Sequence, residues 1–156
     1  MVLKRRALFL GLALATLLFM ASLPVQAALG EPVDSMTPDE KQLSAVRRHL
    51  TVHNGYTIHE VSSEAVVVRQ YVSPSGVVFG IAWNGLIHPD LMPLLGAYAS
   101  EYEEARKQTP RKHDRRHLRV QANRVVVETW GHMRNLQGRA YDPDLIPAGV
   151  SRDEIK

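Results

Sequence analysis

Seven histidines and no cysteine set the metal chemistry open to this chain of 156 residues. Imidazole binds divalent transition metals without thiolate, so histidine spacing is the first test. His49 and His53 stand four apart, as do His113 and His117, and on a helix that spacing puts two imidazoles on one face. Thr51, Val52 and Asn54 place the first pair at a fraying helix end. Lys112, Arg115 and Arg116 repel a cation from the second. No metal site and no cofactor is expected, and a His-based metal-binding protein stands only as an alternative class. Nucleophilic catalysis lacks its parts: no cysteine, no Gly-x-Ser-x-Gly elbow, and Ser62, Ser63, Ser73 and Ser75 in turn sequences. Glu101, Glu103 and Glu104 read as the solvated face of a helix, and no glycine-rich phosphate loop is present. No catalytic residue is nominated, which leaves a small hydrolase as the other alternative.

Two clusters remain as binding candidates. Lys107, Arg111, Lys112, Arg115, Arg116 and Arg119 are opposed locally only by Asp114 and suit a polyanion; the competing reading is a solvated loop and hairpin edge. Trp130, His132, Arg134, Arg139 and Tyr141 gather aromatic, imidazole and guanidinium groups around Gly131 and Gly138. Such a set can stack on a sugar ring and hydrogen-bond an anion. It equally describes an edge strand with the C-terminal segment folded back on it.

The amino terminus carries a different kind of signal. Lys4, Arg5 and Arg6 precede an apolar run from Ala7 to Met20, and Val25 and Ala27 are small residues at the −3 and −1 positions of a cleavage site. This is the pattern of a secretory leader cut after Ala27, and its apolar stretch is shorter than the ~20 residues of a bilayer span. No transmembrane segment is expected in the mature chain. Arg5-Arg6 also raises the twin-arginine route, although the flanking residues fit it poorly. Removing Lys4, Arg5 and Arg6 from the 19 Lys and Arg leaves 16 basic against 16 acidic side chains, so the net charge of +3 gives no case for a nucleic-acid partner. Without cysteine, an exported domain has no disulfide and must be held by burial.

These side chains need elements to position them. Residues 28–36, with Gly30, Pro32 and Ser35, read as a flexible arm, and residues 37–156 as a single domain. Thr37-Pro38-Asp39-Glu40 is a helix start, and Leu43, Val46 and Leu50 supply its apolar stripe. Beyond Asn54-Gly55 the period shifts to two, with β-rich runs at Tyr56–Val61, Ala65–Val72 and Val77–Trp83 joined by short turns. Such connections require an antiparallel meander. In the third run Val77, Phe79, Ile81 and Trp83 oppose Val78, Gly80 and Ala82, which predicts a helix packed over the small side. Asp90 caps a second helix whose inner face is Leu91, Leu94, Leu95, Tyr98 and Tyr102. His117–Gln121 and Arg124–Gly131 form a second hairpin, and Gly138–Val150 lies extended across the domain. The expected fold class is therefore α+β: a mainly antiparallel sheet of about five strands, a covering helix and an N-terminal helix.

Short blocks along the chain also resemble a bacterial family of short exported proteins of unknown function. They include Tyr56-Thr57-Ile58-His59-Glu60, Val68-Arg69-Gln70-Tyr71-Val72, Val78-Phe79-Gly80-Ile81-Ala82-Trp83, Pro89-Asp90-Leu91 and Leu94-Leu95-Gly96-Ala97-Tyr98. Gly131-His132-Met133-Arg134, Gly138-Arg139-Ala140-Tyr141 and Pro147-Ala148-Gly149-Val150 complete them. The resemblance runs from about Tyr56 to the C-terminus and implies export without implying chemistry. Together these readings point to a non-enzymatic binding or accessory protein, periplasmic or secreted, whose partner is an anionic envelope glycan, a lipid headgroup or a protein.

Overall fold

The computed structural model describes residues 28–33, 47–110 and 117–156. The leader, the helix start at Thr37 and the basic residues Arg111, Lys112, Arg115 and Arg116, with His113 between them, lie outside the described residues. Among the described residues seven strands appear in chain order: β1 (Arg47–His53), β2 (Tyr56–Ser62), β3 (Val66–Val72), β4 (Val78–Gly85), β5 (His117–Gln121), β6 (Val126–His132) and β7 (Asn135–Tyr141). Between β4 and β5 runs α1 (Leu91–Leu95), a 3-10 turn at Gly96–Tyr98, and α2 (Ala99–Gln108). All seven strands make one antiparallel sheet in the order β1-β2-β3-β4-β7-β6-β5.

The expected α+β fold of about five strands with an N-terminal helix is thus corrected to a seven-stranded, mostly β structure with one helical run. Two misread segments account for the difference. His49 and Leu50 lie in β1, a strand paired along its length with β2. Asn54-Gly55 is the turn of that hairpin, with Gly55 at φ 92° where L side chains are strained. Leu50, placed on a helical stripe by its spacing, is 56% exposed. The C-terminal stretch read as extended from Gly138 onward instead begins in β7, inserted between β4 and β6. A glycine inside a strand hides such an element, since it contributes no side chain to the alternation. Here Gly138 sits opposite Trp83, whose indole fills the space that a Cβ would take.

Each face of the sheet carries its own apolar layer. Under the helices lie Ile81, Trp83, Val120, Val127 and Ala140 with Leu94, Leu95, Tyr98 and Tyr102. Asp90 caps α1 by accepting from the Met92 N–H at 3.0 Å. On the opposite face Tyr56, Tyr71, Phe79, Ala82, Val126 and Tyr141 pack against Ile155 of the C-terminal segment. The helix therefore covers the bulky side of β4, where the small side was expected. Gly80 leaves its space to Ile155, whose Cδ1 would lie 2.9 Å from an added Cβ. A bulge at Tyr71/Val72 breaks the strand alternation and lets Phe79 join Gly80 on the C-terminal side.

The segment expected as an arm is held from Ala28 to Val33. Ala28 is 3% exposed and Leu29 fully buried, and Pro32 forms a bridge with Val77.

Candidate functional site

One row of register partners crosses all seven strands: His49, Glu60, Arg69, Ala82, Arg139, Glu128 and Arg119. Because side chains alternate across a strand, these residues share the face that carries the C-terminal segment. The charges alternate outward from Ala82. Arg69 donates from Nε to Glu60 Oε2 at 2.8 Å and from a terminal nitrogen to Asn84 Oδ1 at 2.8 Å. Arg139 donates from Nε to Glu128 Oε2 at 2.6 Å, and Arg119 reaches the other oxygen of Glu128 at 3.4 Å. Glu128 is buried, and in that setting a carboxylate requires close cationic partners.

This row divides the face. On one side the aromatic layer lies beneath the C-terminal segment, tied down by Arg139, which donates to the backbone carbonyls of Arg152 at 2.9 Å and Ile155 at 3.4 Å. On the other side the next row runs Ser62, Val67, Asn84, Gln137, Trp130 and His117, none of them fully buried. Trp130 donates from Nε1 to Gln137 Oε1 at 3.0 Å, and Gln137 donates to Asn135 Oδ1 at 2.8 Å. The Arg139 guanidinium lies 5.8 Å from the Trp130 ring centroid, and the His117 ring 6.3 Å from it. An indole with fixed amides and a guanidinium beside it can stack on a sugar ring while bonding hydroxyl or carboxylate groups.

Trp130, His132, Arg134, Arg139 and Tyr141 are close in sequence, and the fold sorts them. Trp130, Arg139 and Tyr141 come together around the guanidinium, which lies 5.7 Å from the Tyr141 ring. Tyr141 is buried under the C-terminal segment and belongs to the core. His132 and Arg134 are exposed at the β6–β7 turn, where Arg134 takes φ 67°. Asn84, Gln137 and Arg69 were missed, because only the strand register sets Gln137 of β7 against Trp130 and aligns Asn84 of β4 and Arg69 of β3 on the same face.

Of the basic cluster, Lys107 and Arg119 fall within the described residues. Lys107 lies in the last turn of α2, over the helical face, where it lines an open depression of about 300 Å3 with Glu103, Arg106 and Thr109. Arg119 points to the other face, toward Glu128. His49 and His53, on one face of a strand rather than a helix, stand on the order of 13 Å apart at strand rise. His53 stacks on Tyr56 at 4.9 Å. Among the described residues no group of three His, Cys, Asp or Glu side chains could hold a metal ion. No helix among them is long and apolar enough to cross a membrane.

The fold and this face define a single-sheet β domain with a charged row and a partly open aromatic and amide surface. The chain belongs to the family described as protein of unknown function DUF2844, whose profile matches residues 25–155. It is also similar to bacitracin synthase 1 of Bacillus licheniformis, at 35% identity over 63 residues. That match takes in 39% of this chain and 1% of the synthase, so the chain spans a very small part of that protein. No solved structure matches.

Proposed function

We propose that the chain is exported, loses its leader after Ala27, and acts in the cell envelope as a non-enzymatic protein that binds anionic glycan on the open half of the charged face. The observation that carries this reading is Trp130, partly exposed and oriented by Gln137, with the guanidinium of Arg139 5.8 Å from its ring, and the Arg69–Asn84 pair further along the same face beyond Gln137. Sugar rings present C–H faces that stack on indole, and their carboxylates and hydroxyls match guanidinium and amide donors. The leader pattern at Lys4 to Ala27 supports delivery to the compartment where such glycans lie.

The two tryptophans make the test direct. Trp83 is 2% exposed, whereas Trp130 keeps solvent contact, so a bound saccharide changes the emission of one and spares the other. Titrating the chain that begins at Ala28 with polygalacturonate is expected to change its emission, and Trp130→Phe is expected to abolish that change. Arg69→Gln is expected to weaken binding about tenfold, the worth of one charge-assisted hydrogen bond. An equal response to uncharged dextran would remove the anionic specificity, and no response to either polymer would remove the reading.

A further inference from the structure

The export reading above places the bond to be cut between Ala27 and Ala28, and the present inference rests on it. A processing protease takes its substrate as an extended strand, with residues on both sides of the bond free of other partners. On the product side the fold withholds them. The Leu29 N–H donates to the Leu94 carbonyl at 3.0 Å, and the Gly30 N–H to the Val78 carbonyl at 2.8 Å. In return the Val78 N–H donates to the Glu31 carbonyl at 3.1 Å, and the Val33 N–H to the Gly76 carbonyl at 3.0 Å. Leu29 is fully buried in the cluster of Val78, Leu94, Leu95 and Tyr98.

The seat is close on both walls. A Cβ at Gly96 would stand 2.6 Å from the Ala28 Cβ, and one at Gly30 would stand 2.8 Å from the Tyr98 ring. Both glycines have positive φ, 52° and 79°, so the backbone there is shaped to let the segment in. Ala28–Val33 is thus an integral part of the helical layer, and the residue next to the scissile bond is 3% exposed. Cutting in the folded state requires this segment to lift out, with loss of a buried leucine and of its backbone bonds. Proteolysis of a closed segment then falls with the population of the open form.

We infer that the Ala27–Ala28 bond is a substrate only while the domain is unfolded, so that removal of the leader precedes docking of Ala28–Val33 and completion of the helical layer. The leader-bearing chain accordingly travels unfolded, and Arg5-Arg6 serves as the positive charge of the leader instead of a signal for transport of a folded protein. A precursor that folds early keeps its leader.

The full-length precursor, folded in detergent micelles, is treated with purified signal peptidase beside the same chain diluted from urea directly into the enzyme. The unfolded sample is expected to be cut after Ala27, with Ala28-Leu29-Gly30 at the new terminus, and the folded sample on the order of a hundredfold more slowly. Tyr98→Ala widens the seat without changing any residue near the bond. Where its folded state is verified by the near-ultraviolet signal of Trp83, it is expected to regain much of the unfolded rate. Equal rates for folded and unfolded wild-type precursor overturn the inference, as does full protection in folded Tyr98→Ala. Failure of the unfolded precursor to be cut after Ala27 overturns the export reading itself, and that result is distinct from the other two.

Discussion

Tyr98 links the helical layer to the segment that leaves β7. Its ring is buried in the helical layer, its hydroxyl donates to Asp142 Oδ2 at 2.8 Å, and the Arg124 guanidinium lies 4.8 Å from its centroid. Burial first, and then the bond to Asp142, push its phenol up to about 12 from 10.0. Tyr56 is likewise pushed up to about 12, by burial and by the acceptor Glu154 on the other face. The unfolded chain releases these protons near pH 10, while the folded chain holds them longer. Stability that is complete below about pH 10 therefore declines as pH rises toward 12. Urea midpoints measured across that window are expected to fall for the wild type and to fall less steeply for Tyr98→Phe. At neutral pH the same variant is expected to be less stable by about 1–3 kcal/mol, since the buried Asp142 carboxylate loses a donor. Identical slopes for the two proteins would show that this phenol does not govern the alkaline limb.

At the scale of elements, the β1–β2 hairpin shows how one dipeptide decides a strand. Asn-Gly between β-branched and aromatic residues is a hairpin signal, and Gly55 takes the positive φ that this turn uses. Gly55→Ala is expected to lower stability by about 1–2 kcal/mol, the price of a left-handed conformation for an L residue. Because β1 is the sheet edge, amide exchange should quicken in β1 and β2 before it does in β4 and β7. Uniform acceleration across the sheet would mean that the hairpin does not open by itself. The meander strands β2, β3 and β4 were legible for the same physical reason, alternation bounded by turn residues such as Ser73 and Gly76. β7 was not, because Gly138 and Arg139 break its apolar alternation. Its strand character comes from its neighbours, β4 on one side and β6 on the other.

Across the whole molecule, a single sheet with two exposed faces needs two covers. The helices supply one and the last residues of the chain the other. Ile155 is the anchor of the second cover, fully buried against Gly80, while the Tyr71 hydroxyl donates to the Lys156 carbonyl at 2.7 Å and accepts from the Lys156 N–H at 3.0 Å. Ser151 and Glu154 close the last turn as a capping box, which presents Glu154 to the Tyr56 hydroxyl at 2.9 Å. Ile155→Ala is expected to destabilise the domain by about 2–4 kcal/mol in urea unfolding, the range for a buried aliphatic truncated to alanine. A change under about 0.5 kcal/mol, as at a surface site, would deny the C-terminal segment its role as a layer.

Read without a fold, the residues specify much of the local structure: the turns, the capped helix at Asp90, the alternation of the central strands and the absence of any nucleophile elbow. These properties depend on neighbours a few positions away, and the chain displays them directly. Which side of β4 meets the helix, where Gly138 sits, and that Gln137 stands against Trp130 with Asn84 and Arg69 on the same face all depend on register between strands as many as about sixty residues apart. A bulge at Tyr71/Val72 and an indole lying in the space above a glycine reverse or conceal the local pattern, and only the packed sheet decides them.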